Sequence, residues 1–307
     1  DNGDDGDNGD DGDNGDDGDD TVTLKSVSDA FAQIGTKAPI DILWVVDNSG
    51  SMADEQQALA DNFSAFIADF VTKDIDFKMG ITTTDRNRKG DDPLAGEVSI
   101  MTNLTKAKMV ENPTKFINDF KNSIQVGTRG YGIEKGLKSS ELFADVYANQ
   151  FLRSNAYLIV VYVSDERDQS QDTVAGHLAA ITAHKSNPGL VKSYSIVDMD
   201  NLVSQGYVLK GYERYEEMST LTGGYIANLY DNFHQVLSNM GGAIANLADQ
   251  FPLSDTPYTQ DSIVVKVNGV VSTQWDYNAS TNTIKFHAIA IPPVSYTHLR
   301  AHETDSY

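Results

Sequence analysis

Three separated stretches place oxygen-bearing side chains where a folded chain could use them together. "VVDNSGSM" sets Asp47, Ser49 and Ser51 at alternate positions directly after an apolar run. "VGTRGYGIEKGL" offers Thr128 just ahead of a helical pattern, and "VYVSDERD" puts Asp165 at the end of a second apolar run. A carboxylate and hydroxyls at the mouth of a core strand are costly to bury without compensation. Two carboxylates and three hydroxyls, with no His or Cys among them, suit a hard divalent cation. Mg²⁺ fits first, with Mn²⁺ or Ca²⁺ as alternatives. It takes octahedral oxygen ligands and keeps several waters, which leaves a position for an outside group. The simpler reading makes Asp47 a cap for the following helix, but the complete set of five favours the metal. Thr83 and Thr84 end a strand on the same edge and are rival hydroxyl donors to Thr128, although Thr82–Thr84 also fit plain β-propensity. Tyr131, Arg129, Glu166 and the loop from Arg86 to Lys89 would border such a site, either docking an acidic partner or forming a solvated loop. Glu166 and Arg167 read as local ion partners.

These residues need a scaffold, and from Pro39 onward strand and helix patterns alternate. Ile40–Val46 and Ala156–Ser164 are continuous apolar runs of the kind covered on both faces, and Phe77–Thr83 and Val191–Val197 read as further strands. Asp54–Val71 carries Leu59, Phe63, Phe66, Ile67 and Phe70 on one helical stripe. Helices are also expected over Pro113–Ile124, Gly132–Tyr147, Thr173–Lys185, Glu213–Leu221 and Phe233–Phe251, with a last strand at Tyr225–Leu229 and a short edge strand at Glu97–Met101. This alternation predicts an α/β fold with a doubly wound, mainly parallel Rossmann-like sheet. In such sheets ligands sit beyond the carboxyl ends of the strands, where Asp47 and Asp165 both fall. Gly241-Gly242 in the last helix reads as close packing rather than a hinge. After Pro252 the texture changes: "SIVVKVNGVV" and "WDYNASTNTIKFHAI" read as two hairpins of a small, incomplete all-β module spanning 252–294.

The 307 residues carry a net charge of −22, unevenly spread. Residues 1–20 repeat DNGDDG and contribute eleven aspartates and no base, so the remaining 287 residues carry −11. The tract has no apolar residue and reads as a disordered acidic tether rather than a calcium site, with residues 21–38 as a linker. An acidic chain is a poor fit for nucleic acid, which needs clustered Lys and Arg. There is no cysteine, so thiolate metal sites and disulfides are out, and no run approaches the ~20 apolar residues of a membrane span. The last residues, "SYTHLRAHETDSY", look like translated adapter sequence, and 295–307 are read as an artefactual tail. His298 and His302, four apart, carry little weight as a metal pair.

Asp-x-Ser-x-Ser, a later Thr in a Gly-rich loop that opens a helix, and an Asp after a strand resemble the von Willebrand factor type A domain over about Pro39–Phe251. The resemblance implies a metal-ion-dependent adhesion site at Asp47, Ser49, Ser51, Thr128 and Asp165. In that family the hydroxyls coordinate directly, the aspartates often act through water, and the open position takes a carboxylate from a protein partner. It also implies a non-enzymatic module. "VDNSGSMADEQ", "GITTTD", "VSDERDQS" and the trailing hairpins look like a bacterial surface or lipoprotein subgroup. That likeness implies an extracytoplasmic place, at the cell surface or facing the periplasm, and a lipid anchor upstream of this chain, although no lipobox is present. Two other readings stay open: metal-assisted hydrolysis with Asp165 or Glu166 as base, and a structural adaptor of an envelope assembly. Against the first, the chain shows no Ser-His or Cys-His constellation, no P-loop lysine and no second metal cluster.

Overall fold

A computed structural model describes residues 26–31, 37–85, 104–130, 132–199, 214–267, 269–287 and 297–301. Its centre is a five-stranded, wholly parallel sheet of β2 (Ile40–Val46), β3 (Phe77–Thr83), β4 (Tyr157–Ser164), β5 (Val191–Val197) and β6 (Ile226–Asn228), in the order β3-β2-β4-β5-β6. β2 pairs with β3 on one side and β4 on the other, and all seven of its residues are buried. Its run of apolar residues, broken only by Asp41, follows from this position, because strand pairing satisfies the backbone while helices cover both faces.

The strand's alternation divides the core in two. Ile42, Trp44 and Val46 join a cluster with Phe63, Phe66 and Phe70 of α1 (Ala53–Thr72), Phe116 and Phe120 of α3 (Pro113–Ile124), and Leu237 and Ile244 of α7 (Phe233–Leu247). Leu43 and Val45 face the other way, toward Leu137 and Phe143 of α4 (Gly136–Tyr147), Ile181 of α5 (Val174–Thr182) and Met218 of α6 (Arg214–Thr222). Trp44 meets Phe66 and Phe120 edge-on, with ring centroids 5.1 and 5.6 Å away, a favoured aromatic geometry. α7 lies tightly on α1, where a Cβ at Gly241 would collide with the Phe66 carbonyl; the glycine serves close approach.

Two helix boundaries lie away from expectation, and one helix is additional. The helix expected to start at Gly132 starts at Gly136, because Glu134 forms a β-bridge with Asp85 first. The helix expected to reach Phe251 stops at Leu247, and Gln250–Pro252 becomes strand β7 instead, paired with β11 (Thr283–Phe286). A short helix α2 (Lys106–Glu111) follows an N-cap in which the Lys108 amide donates to Thr105 Oγ1, and it was not foreseen. The edge strand expected at Glu97–Met101 lies outside the described residues.

Two small antiparallel sheets follow the α/β unit. β7, β10 (Trp275–Asn278) and β11 form one, in the order β10-β11-β7. β1 (Val27–Phe31), β8 (Ile263–Val267), β9 (Val270–Ser272) and β12 (Thr297–Ala301) form the other, in the order β1-β12-β8-β9. The two hairpins read from the sequence are β8–β9 and β10–β11. β12 comes from the tail read as adapter sequence, and β1 from the linker; both are joined to the sheet by main-chain pairing, which depends little on side-chain identity. Phe251, Ile263, Val265, Ile284 and Phe286 connect this module to the larger core cluster.

At the amino end of the sheet, away from the candidate site, a buried carboxylate anchors an ion network. Asp41 is fully buried and accepts from the Arg153 amide at 2.7 Å and from Arg153 Nε at 2.8 Å. Arg153 also reaches Asp76 at 2.6 Å, and buried Lys185 donates to the Arg153 carbonyl at 2.7 Å. Breaking such a pair strands a charge in low dielectric. Arg153→Ala is therefore expected to cost about 3 kcal/mol in urea unfolding; a loss within the ~0.5 kcal/mol scatter of surface substitutions would contradict this role.

Candidate functional site

The carboxyl ends of β2, β3 and β4 carry the oxygen-rich loops. Asp47 continues the ladder of β2, its amide donating to the Val163 carbonyl of β4 at 2.9 Å. Its side chain is fully buried. One carboxylate oxygen accepts from the Ser49 amide at 2.7 Å and the other from Ser164 Oγ at 2.6 Å. Ser49 Oγ and Ser51 Oγ stand 3.2 Å apart, with Ser49 buried and Ser51 exposed. Asp47 therefore does not act as a conventional cap: residue 52 holds the N-cap position of α1, without a side-chain cap bond.

The loop bearing Thr128 is tied to the first loop by a residue that sequence reasoning passed over. Gln56, buried on α1, donates through Nε2 to the carbonyls of Asp47 and Gly127, both at 2.9 Å. Its Oε1 accepts from the Gly127 amide at 3.2 Å. On the other side of Thr128, the Gly130 amide donates to the Asn48 carbonyl at 2.7 Å. Gly127 has φ +89°, and a Cβ on Gly130 would strike Asn48, so neither position tolerates a side chain easily. Exposed Thr128 sits between these tethers.

Asp165 follows β4 and is half-buried, with its Oδ1 buried and lacking a hydrogen-bond partner. Burial pushes the Asp47 carboxyl above its ordinary range, and the negative charge of Asp165 adds to this. Arg167 is exposed, and Glu166 beside it is half-buried and raised by burial and by the charges of Asp47 and Asp165. Arg129 is exposed at the same loop cluster, whereas Tyr131 and Arg86 lie outside the described residues. Thr84, the rival to Thr128, is buried and donates its hydroxyl to Glu134 Oε2.

Glu134 and Tyr230 are further missed neighbours. Glu134 is fully buried, and its backbone binds the neighbouring loops, with the Gln169 amide donating to its carbonyl at 2.6 Å. Its Oε1 is unpartnered. Burial first, and then the charge of Asp47, pushes the carboxyl up to about 8. Tyr230, just beyond β6, is an exposed aromatic whose hydroxyl donates to Asp198 at 3.1 Å; burial, Asp198, Asp165 and Glu55 raise it to about 12. Both could be found only from the fold, since nothing in their local spacing links them to Asp47.

The donor set fits a hard cation. It is made of oxygens, it leaves a buried aspartate oxygen unpartnered, and burial together with neighbouring carboxylate charge raises Asp47 and Glu166. A divalent ion would relieve that repulsion and the desolvation together.

No protein-family profile and no curated protein matches the chain. Solved structures with similar shape include proximal thread matrix protein 1 from the mussel byssus, at 15% identity, TM-score 0.47, covering 74% of this chain and 51% of that one. They also include the pilus adhesin SpaC from Lactobacillus rhamnosus GG, at 13% identity, TM-score 0.43, covering 90% and 41%. A von Willebrand factor type A protein from Catenulispora acidiphila follows at 10% identity, TM-score 0.40, covering 91% and 66%. The chain thus spans about half the length of the mussel protein and less than half of the adhesin.

Two outcomes test the site's construction. Gln56→Ala should raise the hydrogen-exchange rate of the Gly127 and Gly130 amides while core strands stay protected; unchanged loop protection would remove Gln56 as the tie. Glu134 keeps its proton to about pH 8 when folded but loses it near 4.5 when unfolded. The stability it contributes is full below 4.5 and is lost as pH rises through about 8. Chelator-treated protein should melt at a lower temperature at pH 8.5 than at pH 5, and Glu134→Gln should flatten that slope. An identical slope in the variant would contradict the assignment.

Proposed function

We propose that Asp47, Ser49, Ser51, Thr128 and Asp165 hold one Mg²⁺-class cation, Mn²⁺ and Ca²⁺ being the alternatives, and that the chain is a protein-binding adhesion module of the von Willebrand factor type A kind. The single observation that carries this reading is the fully buried Asp47 carboxylate beside a half-buried Asp165 with an orphaned oxygen, in loops otherwise rich in hydroxyls. A bound ion would supply the positive charge that these groups lack and an acceptor position for a partner's carboxylate. The chain's own residues then divide the work. Ser49, Ser51 and Thr128 offer neutral oxygens, Asp47 and Asp165 offer charge, and Gln56 and Gly130 keep the loops in reach of one another. Neutral hydroxyls would leave the ion strongly electrophilic toward an acidic ligand, and Arg129 at the rim would favour the same partner.

The resemblance to bacterial surface members supports an extracytoplasmic location, with a lipid anchor upstream of the acidic tract. Among the described residues no helix is long and apolar enough to cross a membrane. The module is read as non-enzymatic, as the resemblance to the von Willebrand factor type A family implies.

Chelator-treated wild type should bind Mg²⁺ in calorimetry and recover pull-down of envelope proteins when Mg²⁺ is returned. Asp47→Ala and Ser49→Ala should lose both. Pull-down that ignores EDTA would end the adhesion reading, and hydrolysis of phosphoester or peptide panels that tracks Asp165 would replace it with an enzymatic one.

A further inference from the structure

Asn-x-Ser/Thr triplets with a middle residue other than Pro begin at Asn62, Asn103 and Asn278, and the fold separates them. Such a triplet is the acceptor signal for N-linked glycans, and the asparagine must lie at the surface to be reached. Asn62 lies inside α1, half-buried, with Nδ2 donating to the Ala58 carbonyl at 2.8 Å. Helical residues two apart face different sides, which keeps the Ser64 hydroxyl from its amide. Asn103 lies outside the described residues. Asn278 ends β10 at the tip of the β10–β11 hairpin, and Asn278, Ala279 and Ser280 are all exposed. Its Oδ1 accepts from the Ser280 amide at 3.0 Å and from Ser280 Oγ at 2.7 Å. A backbone amide only donates, so the carboxamide oxygen faces the turn and the nitrogen faces away from it.

We propose that Asn278 is an acceptor for an N-linked glycan, transferred from a polyprenyl-pyrophosphate-linked oligosaccharide. The Nδ2–C1 bond forms as the bond from C1 to the pyrophosphate oxygen breaks. One Nδ2 proton passes to a base of the transferase, and the lipid pyrophosphate leaves. An amide nitrogen is a poor nucleophile because its lone pair is delocalised onto the oxygen. The two donors of Ser280 stabilise the charge that builds on Oδ1 as the proton departs. The hairpin is held from residues beside the triplet. Asn282, at φ +51°, donates to the carbonyls of Leu253 and Asp255 at 3.0 and 3.1 Å and accepts from the Tyr277 hydroxyl at 2.9 Å. Asp276, two residues before the acceptor, pairs with His287 at 3.0 Å yet keeps its side chain 77% exposed, which offers a carboxylate to a basic transferase groove. The module joins the α/β unit at the amino end of the parallel sheet, where the Tyr157 hydroxyl donates to the Gln250 carbonyl at 3.0 Å. A glycan on this module leaves the loops of Asp47 and Asp165 uncovered. Asn278 needs the extracytoplasmic location read above and none of the cation chemistry.

The competing arrangement is a turn in which the same hydrogen bonds only close the hairpin. Folded full chain, incubated with a single-subunit bacterial oligosaccharyltransferase and its lipid-linked oligosaccharide, separates the two by intact-mass and glycopeptide mass spectrometry, with an acceptor peptide as control. The chain should gain the mass of one glycan, carried by Asn278. Asn278→Gln and Ser280→Ala should lose it, Ser280→Thr should keep it, and Asn62→Gln and Asn103→Gln should leave it unchanged. Mg²⁺ calorimetry on the same samples keeps the cation reading apart: Asn278→Gln should take up the ion as wild type does, and absence of uptake in unmodified wild type would count against that reading alone. A chain left unmodified while the control peptide is consumed, or a glycan on Asn62 or Asn103 with Asn278 bare, would overturn the proposal.

Discussion

A charged group buried at the end of the central strand sets the terms for everything around it. Asp47 prolongs β2 with its own side chain fully buried, and its carboxylate is met by neutral donors, the Ser49 amide and Ser164 Oγ among them. The surrounding acids make matters worse, since Asp165, Glu134 and Glu166 all interact unfavourably with it. A fold built only for stability would place an apolar or cationic residue there. A site awaiting a cation would look as this one does.

The rest of the architecture makes that burial survivable. The two cores on either side of β2 pack the strand through Val45 and Val46, directly before Asp47. Parallel pairing brings the ends of β2, β3 and β4 to one edge, so loops distant in sequence share a small volume. At the other end of the same sheet, Asp41 shows the alternative solution: its buried charge is matched by Arg153 and Lys185. One strand thus ends in two aspartates, the first supplied with cations by the protein and the second with none among its described contacts.

Much of this was legible in the residues. The doubly wound sheet follows from the mostly apolar runs at Ile40–Val46, broken only by Asp41, and Tyr157–Ser164, because strands covered on both faces carry apolar residues at successive rather than alternate positions. The alternate spacing of Asp47, Ser49 and Ser51 marked the loop. What the chain hid were contacts made across it. Gln56 is an ordinary polar residue on an amphipathic helix until the fold brings Gly127 against it. Glu134 looked like helix until its bridge to Asp85 delayed the helix start. Phe251 matched the helical stripe of α7, yet pairing with β11 drew it into a strand. In each case a long-range partner outweighed local periodicity.

The central claim is that the oxygens of the β2, α4-side and β4 loops surround one hard cation. The most direct measurement is anomalous scattering from crystals equilibrated with Mn²⁺, which substitutes for Mg²⁺ in oxygen sites. A peak among Ser49, Ser51 and Thr128, on the side of Asp47 and Asp165, is the predicted result. An occupied Mn²⁺ position elsewhere with none among these hydroxyls, or Ser49 and Thr128 turned to separate regions around an empty centre, would contradict it.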